Sequence, residues 1–367
     1  MINEAFKYLT FYDQHVIKRM CKNYNKLKIV KFGDRNNFDD EILKRYQHVT
    51  SINVSQNNKV TDLNHMTSLK ILKIYYDSVG DSGIKNLTNI EGLDISNNMN
   101  ITDLNHMTNL KHLTIVNETR ITNEGLTKLS NLTYLNISRN KTLTDINDLT
   151  ELSELYIDQA HISTEGIKNL SNVTILDVSF NRYVTDINHM TKLEVLINEN
   201  YMNNSNFQFR HNNDGIKKLN LRELYINNNV NISDIGHMTN LEILHIAGDC
   251  IIDDSVVNKL TNLIELNISF NMRITDVNSL KKLKRLYIVS KGGVTDEGIS
   301  EITELDVLEL PDDTQITTLK NFKKIKELRL SDKLMKKFEI NCHVDKIEES
   351  MFQPGRKYVQ HASLLHD

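Results

Sequence analysis

The residues Leu132-Thr133-Tyr134-Leu135-Asn136-Ile137-Ser138-Arg139-Asn140 have the form L-x-x-L-x-I-x-x-N, and this frame recurs along almost the whole chain. Each copy begins at an apolar residue, which we call its anchor. The anchors follow one another at intervals of 20 to 22 residues, apart from one interval of 28 residues. The fifteen anchors are Leu27, Val49, Leu69, Ile90, Leu110, Leu132, Leu152, Val173, Leu193, Leu221, Leu241, Leu263, Leu283, Leu305 and Ile325. A fixed period of this length is typical of a repeat protein.

Each copy predicts one coil of an α/β solenoid. Leu135 and Ile137 are two residues apart, the spacing of a short strand that sends both side chains to one face. Leu143, Ile146 and Leu149 have helix-like spacing and return the chain to the next copy. Because one coil cannot bury its apolar face alone, the coils must stack. The frame resembles the leucine-rich repeat over residues 27–331. That resemblance implies about 15 repeats, with a curved parallel sheet on the concave face and short helices or 3-10 turns on the convex face.

Two kinds of coil alternate in the array. The uniform kind contains Ile101-Thr102-Asp103-Leu104-Asn105-His106-Met107-Thr108, repeated closely at residues 60–67, 184–191 and 232–239. Its frame ends in asparagine, which we interpret as a structural ladder because an amide both donates and accepts; the residues are Asn57, Asn98, Asn140, Asn181, Asn229 and Asn271. The other kind lacks this asparagine and contains a run such as Ile121-Thr122-Asn123-Glu124-Gly125-Leu126. Its Ser/Thr-x-Glu-Gly pattern predicts a helix start, with Thr122 or Thr295 as the N-cap.

Composition limits the function classes. The 367-residue chain carries a net charge of −4 without a large block of like charge, which argues against nucleic acid or an anionic membrane as a partner. Its three cysteines are far apart in the sequence, as in a protein from a reducing compartment. We find no transmembrane-length apolar run and no signal peptide. The sequence therefore predicts an intracellular, cytoplasmic protein.

Residues 1–26 precede the array and do not follow its frame. Their apolar residues recur at helical spacing, which indicates one or two short amphipathic helices that cap the first coil. The segment also resembles the C-terminal two-thirds of an F-box in its order and spacing of Phe6, Tyr8, Leu9, Asp13, Met20, Cys21, Lys22, Tyr24 and Leu27. This resemblance implies docking onto a Skp-type adaptor of a cullin ubiquitin ligase, through Phe6, Tyr8, Leu9, Met20, Cys21 and Tyr24. Tyr24 stands where the family usually has Trp, and the leading Leu-Pro element is missing. Both interpretations stay open.

The partner-binding site is predicted on the concave face, at the second, fourth and sixth positions after each anchor. Uniform coils mostly have small polar residues there, whereas the alternate coils vary and include aromatic and charged residues. Tyrosine favours protein recognition because it buries a large area at low entropic cost. The predicted contact residues are Lys73, Tyr75, His112, Tyr134, Tyr156, Asp158, Tyr225, His245 and Tyr287. The plainer alternative is that tyrosines simply pack well on strands.

The interval of 28 residues contains an insertion of about seven residues beside the array. Insertions in solenoids form loops, often next to the binding face. Phe207, Phe209 and Arg210 in this insertion are candidate partner contacts, or alternatively the two rings pack into a distorted coil.

No motif indicates an enzyme, and no cofactor or metal ion is predicted. The repeated His65, His106, His189 and His237 lie in alternate coils, so that neighbours such as His65 and His106 are separated by about 10 Å. Zinc needs its ligand nitrogens within about 2.1 Å of one ion. Residues 332–367, past the last copy of the frame, are too few for a catalytic domain and are predicted to form a C-terminal cap and tail.

Overall fold

The computed structural model describes residues 38–76, 79–199, 212–290, 292–336 and 338–350. The chain divides into two compact units, whose boundary along the array lies between residues 173 and 174. Residues 1–26, the anchor Leu27 and the inserted Phe207, Phe209 and Arg210 lie outside the described residues.

Among the described residues, unit 1 has six strands, each pairing in parallel with the next along the chain. All six have three residues; they are β1 (Ser51–Asn53), β2 (Ile71–Lys73), β3 (Gly92–Asp94), β4 (His112–Thr114), β5 (Tyr134–Asn136) and β6 (Glu154–Tyr156). Each strand begins two residues after its anchor, so the register repeats from coil to coil. Short helical turns cross back between strands, at Asp40–Leu43, Lys44–Tyr46, Asp81–Ile84, Asn123–Leu126 and Glu165–Ile167.

Unit 2 repeats this parallel arrangement in nine strands among its described residues. The strands are β7 (Ile175–Asp177), β8 (Val195–Ile197), β9 (Glu223–Tyr225), β10 (Ile243–His245), β11 (Glu265–Asn267), β12 (Arg285–Tyr287), β13 (Glu304–Leu310), β14 (Lys324–Leu330) and β15 (His343–Glu349). The helical turns of this unit are Asn213–Ile216, Asp254–Val257, Glu297–Ile299 and Asp332–Met335.

The core of each unit is a stack of aliphatic side chains between the sheet and the return segments. Every described anchor is buried, from Val49 to Ile325, and so are the inward strand residues such as Leu135 and Ile137. Burial of one such side chain contributes about 1.5–3 kcal/mol. Each unit is therefore a solenoid of stacked coils with a parallel sheet and short helical turns, and the predicted α/β solenoid fold is confirmed.

The asparagine that ends a uniform frame can tie adjacent coils together, as Asn98 does. Asn98 is fully buried; its Nδ2 donates to the Tyr76 and Val79 carbonyls of the preceding coil at 2.8 and 3.0 Å. Its Oδ1 accepts the N–H groups of Asn100 and Ile101 in its own turn at 2.9 and 3.0 Å. The side chain thus satisfies backbone groups that would otherwise be buried without partners.

A second tie joins the same pairs of coils, through a polar side chain at the start of the helical turn of each alternate coil. Asp81 accepts the Thr102 N–H at 2.8 Å through Oδ1 and the Thr102 hydroxyl at 2.6 Å through Oδ2. Equivalent pairs join the other coils of this kind: Asp40–Thr61, Asn123–Thr144, Asn213–Ser233, Asp254–Thr275 and Asp296–Thr317. This clasp strengthens the coil boundary that the frame asparagine also bridges, since Asp81 and Asn98 both link the coil of Leu69 to the coil of Ile90.

The helical turn after Thr122 starts where the Ser/Thr-x-Glu-Gly pattern predicts, and Thr122 occupies the N-cap position, but its side chain does not cap the turn. Thr122 makes no capping bond, because its hydroxyl donates to the Glu124 carboxylate at 2.6 Å instead. At the equivalent turn in unit 2, the Thr295 hydroxyl accepts only a long bond from the Gly298 N–H at 3.4 Å.

The parallel sheet extends one strand past residue 331, into the segment predicted to form a cap and tail. In β15, Val344 and Ile347 continue the inward columns of Ile325 and Leu328 in β14, and Ile347 is 47% exposed. Glu349 follows in the column of Leu330. A charge in an inward column discourages further strand pairing.

Candidate functional site

The outer face of each sheet, defined here as the strand face opposite the core, holds all nine predicted contact residues. In most uniform coils it displays small polar side chains that are themselves buried, among them Asn136, Ser138, Asn267 and Ser269. The larger aromatic and charged residues of the outer face form separate clusters in unit 1 and in unit 2.

In unit 1, His112, Tyr134 and Tyr156 form a continuous row of rings on strands β4, β5 and β6. The His112 and Tyr134 ring centroids are 5.9 Å apart and the planes nearly parallel; Tyr134 and Tyr156 are 5.4 Å apart and tilted. Both tyrosines are only 5% exposed, because each ring lies against its neighbour on the adjacent strand. The row is therefore a rigid aromatic surface, and His112, which is half-buried, is its most accessible member.

Asp158 lies in the same coil as Tyr156 and is also buried. The Arg139 Nε is 4.0 Å from its Oδ2, and the Gln159 amide donates to it at 3.2 Å. The Arg139 side chain itself is 59% exposed. The preceding coil therefore places an exposed cation beside Asp158, although the predicted anion itself is covered.

Lys73 and Tyr75 form a second cluster in unit 1, around Asp94 of the neighbouring strand. The Asp94 Oδ1 accepts the Ser96 hydroxyl at 2.8 Å and the Ser96 N–H at 3.1 Å. Burial raises the pKa of Asp94, while the charge of Lys73 and the hydrogen bonds from Ser96 and Tyr75 act in the opposite direction. Lys73 and Tyr75 are both half-buried.

In unit 2, Tyr225, His245 and Glu265 make a connected polar chain across strands β9 to β11. The Tyr225 and His245 rings meet edge-to-face with centroids 4.7 Å apart. The His245 Nε2 lies 2.9 Å from the Glu265 Oε1, and the Arg285 Nε lies 2.5 Å from the Oε2. Burial by itself would raise the pKa of Glu265, but the hydrogen bonds from His245 and Arg285 outweigh it and hold this pKa at about 2.

Tyr287 extends this chain on strand β12, in register with His245 and Asn267. Burial, followed by the charge of Glu265, raises the pKa of its hydroxyl to about 12. The Tyr287 phenol therefore stays protonated and able to donate a hydrogen bond throughout the physiological range.

Sequence reasoning missed several outer-face residues. The ionic partners Glu265, Arg285, Glu309 and Arg329 were not singled out, nor were the apolar Ile175, Val195, Ile197 and Ile243 or the buried Glu199. All of them occupy positions that the frame places outward, so reading every outward position rather than only the aromatic ones would have found them.

The described residues contain no group of side chains that could hold a metal ion. There, no three His, Cys, Asp or Glu side chains converge as they would around a metal ion. His106 instead lies with its Nε2 3.0 Å from the Ile84 carbonyl oxygen. Of the cysteines in the described ranges, Cys250 is buried and its thiol donates to the Ile226 carbonyl at 2.8 Å, while Cys342 is half-buried. No helix in these ranges combines the length and hydropathy of a membrane span.

Comparison with known proteins confirms the fold. No protein-family model and no curated protein sequence matches the chain. An internalin (inlF) of Listeria monocytogenes is 22% identical, with 84% of this chain and 89% of that chain covered and a TM-score of 0.55. A leucine-rich-repeat protein of Leptospira interrogans is 18% identical, with 90% and 98% covered and a TM-score of 0.59. TLR13, solved in complex with ssRNA13, is 22% identical over 82% of this chain and 51% of that chain, with a TM-score of 0.57.

Proposed function

We propose that this chain is a non-catalytic scaffold that binds a protein partner on the outer faces of its sheets. One observation carries the proposal: aromatic and charged side chains gather on one face of a rigid parallel sheet and fix one another there. Such preorganised groups lose little entropy on binding. As part of the proposal, the protein acts inside the cell.

The chemistry of these clusters favours protein over other ligands. Tyrosine and arginine are the residue types most enriched at the energetic centres of protein interfaces. In unit 2 they alternate with carboxylates, from Tyr225 through Glu265 to Arg285, which suits a partner of mixed charge. The net charge of −4 offers no strong field for a polyanion.

Replacing Tyr225 and Tyr287 together with leucine is expected to reduce capture of a specific partner at least tenfold. Leucine keeps the packing on the strands but removes the phenol groups, and hot-spot contacts each contribute about 2 kcal/mol or more. The measurement is a pull-down with quantitative mass spectrometry, followed by titration of the purified partner against each variant.

The matched control is Lys259→Ala, because Lys259 is exposed beside a helical turn and not on the outer face of the sheet. A protein whose capture falls equally in both variants is not counted as a partner that binds through the tyrosines. If every specific partner binds the double tyrosine variant as tightly as it binds the wild type, the outer face of unit 2 is not the binding site.

A more specific version of this proposal concerns residues 1–26, whose resemblance to an F-box is its support. In this version the array is the substrate receptor of a cullin-type ubiquitin ligase, and Phe6, Leu9 and Met20 contact a Skp-type adaptor. The alternative is a stand-alone binder or inhibitor, in which the segment only caps the first coil.

Deleting residues 1–26 separates these versions. If the segment docks an adaptor, a Skp-type adaptor and a cullin co-purify with the full chain and are lost from the truncated chain, while the outer-face partner is retained. If neither form captures the adaptor and the truncated chain loses solubility, the ligase version is wrong and the segment is a cap.

A further inference from the structure

One coil of unit 2 contains a concentration of buried polar atoms without partners. The Glu199 side chain is 3% exposed; its Oε1 accepts the Asn227 amide at 2.6 Å, but its Oε2 has no hydrogen-bond partner among the described residues. The adjacent Asn198 is fully buried, and neither its Oδ1 nor its Nδ2 is bonded to any residue in the described ranges. Leaving a buried polar atom unpaired costs about 1–3 kcal/mol, and more for a charged group.

Asn198 and Glu199 both differ from the residue types that other coils have at the same positions of the frame. Asn198 stands at the inward position that Ile137 and Ile226 occupy in other coils. Glu199 occupies the outward position of Ser179 and Asn227 on either side, and its N–H is held by the Ser179 hydroxyl at 3.1 Å. A solenoid departs from its own pattern at a cost, and such departures concentrate at functional sites.

The surroundings of Glu199 are acidic and apolar. Asp177, on β7, is 2% exposed and acts electrostatically on Glu199. Burial and, to a smaller extent, the charge of Asp177 raise the pKa of Glu199 to about 8. The hydrogen bond from Asn227 acts in the opposite direction and lowers this pKa. Burial is the main cause of the raised pKa values of Tyr225 and Cys250, and the charge of Glu199 adds to both. Within the part of the chain that the structure describes, no cation is among the groups that act on Glu199.

The apolar part of the cluster lies on the same face. Ile175 and Val195 are in register on β7 and β8, while Ile197 pairs with Asp177 on one side and Tyr225 on the other. Val195 is 8% exposed, and Ile175 and Ile197 are half-buried. Together these side chains would contact an aliphatic chain that runs across the strands toward the two carboxylates.

We propose that the Glu199 carboxylate binds one arginine or lysine side chain of the protein partner, whose aliphatic stem packs on Ile175, Val195 and Ile197. This inference rests on the proposed function and names the chemistry of its ligand. A guanidinium or ammonium group would donate to the Glu199 Oε2 and neutralise the Glu199 charge beside Asp177. Because the Oε2 is covered, the side chains around it must move aside as the cation enters.

A peptide library with one fixed position tests the inference without knowledge of the partner. Capped heptapeptides with a central arginine, lysine, citrulline or glutamate and random flanks are passed over the immobilised full chain. Citrulline copies the shape of arginine without its charge. We expect the basic sublibraries to be retained at least tenfold better than the citrulline sublibrary, and we expect Glu199→Gln to abolish that preference.

Titration of the best arginine peptide at several pH values gives a second readout. Glu199 must lose its proton to pair with the peptide, so affinity is expected to rise as the pH increases toward 8. With a pKa of about 8 in the free protein, the gain between pH 6 and pH 8 is about 50-fold. Glu199→Gln is expected to show no such gain.

The matched control is Glu194→Gln, which removes the same charge from the same coil at a side chain that is 61% exposed. It is expected to keep the preference for basic peptides. Glutamine at position 199 retains an oxygen for Asn227, and circular dichroism checks that this variant folds.

Several outcomes would overturn the inference. Retained peptides without a preference for arginine or lysine would exclude a cation site while leaving the outer face as a protein-binding surface. Equal binding of basic peptides to wild type and Glu199→Gln would place the cation elsewhere. Heat from CaCl2 alone that Glu199→Gln abolishes would assign the carboxylates to a divalent cation. If no peptide is retained, this inference fails, whereas the pull-down still tests the proposed function.

Discussion

Replacing Asn140 with leucine is expected to lower the free energy of unfolding by about 2–4 kcal/mol. The Asn140 Oδ1 accepts the N–H groups of Thr142 and Leu143, both at 2.9 Å, and the Thr142 hydroxyl at 3.0 Å. Its Nδ2 donates to the Thr119 hydroxyl at 3.1 Å and to the Asn117 carbonyl at 3.4 Å. Leucine matches the volume but leaves the buried Leu143 N–H and its neighbours without partners.

Urea unfolding followed by circular dichroism measures the loss, and amide hydrogen exchange at Leu143 locates it. Asn140→Asp separates the two halves of the amide, since it keeps the acceptor and removes the donor. Asp148→Ala changes an exposed side chain of the same coil and is expected to stay within about 0.5 kcal/mol of wild type. Unchanged protection of Leu143 in Asn140→Leu would show that the ladder does not hold the turn.

The sequence alone was sufficient to predict the fold because the repeat makes each strand and its inward residues explicit. Leu135 and Ile137 are buried as the two-residue spacing requires, and the same holds in every described coil. The frame of a single coil does not show which residues of neighbouring coils contact one another. The clasp of Asp81 on Thr102 joins residues of neighbouring coils, and neither residue stands out when a single coil is read.

The candidate site was predicted in part for a related reason. The frame correctly places Tyr134 and Tyr156 outward, but it does not tell how far neighbouring rings cover them, and both are nearly buried. The sequence does not single out Glu199, because its coil runs into the insertion and the frame is interrupted there. The position of a side chain follows from the period, whereas its exposure and ionisation follow from the coils on either side.

Replacing Gly166 with alanine is expected to cost about 3 kcal/mol of unfolding free energy. A Cβ atom at Gly166 would lie 2.1 Å from the Thr144 carbonyl oxygen of the preceding coil, a backbone atom that cannot rotate away. The Gly166 carbonyl also accepts the Ile146 N–H at 2.9 Å, so any shift that relieves the clash strains this bond. Thermal and urea unfolding are the measurements, with exchange at the Ile146 amide as the local probe.

Gly236→Ala is the matched control, since a Cβ there would meet only the flexible Lys259 side chain, at 2.9 Å. It is expected to leave stability unchanged within about 1 kcal/mol, or to raise it by restricting the unfolded chain. Equal loss in both variants would mean that backbone entropy, and not the contact with Thr144, makes the glycine necessary.

In one pair of coils in unit 2, the natural sequence already has a larger residue at the position of Gly166. Val256 stands where Gly166 stands in its own coil, and the preceding coil has Gly236 in place of the asparagine found at position 147. The Asn147 amide donates to the Glu165 carbonyl at 2.7 Å, next to Gly166, so the two positions touch across the coil boundary. The coil with the larger Val256 thus follows a coil with the smaller Gly236, whereas the coil with the smaller Gly166 follows a coil with the larger Asn147. If this exchange is what accommodates Val256, Gly236→Asn should destabilise unit 2, while Gly236→Ala should not.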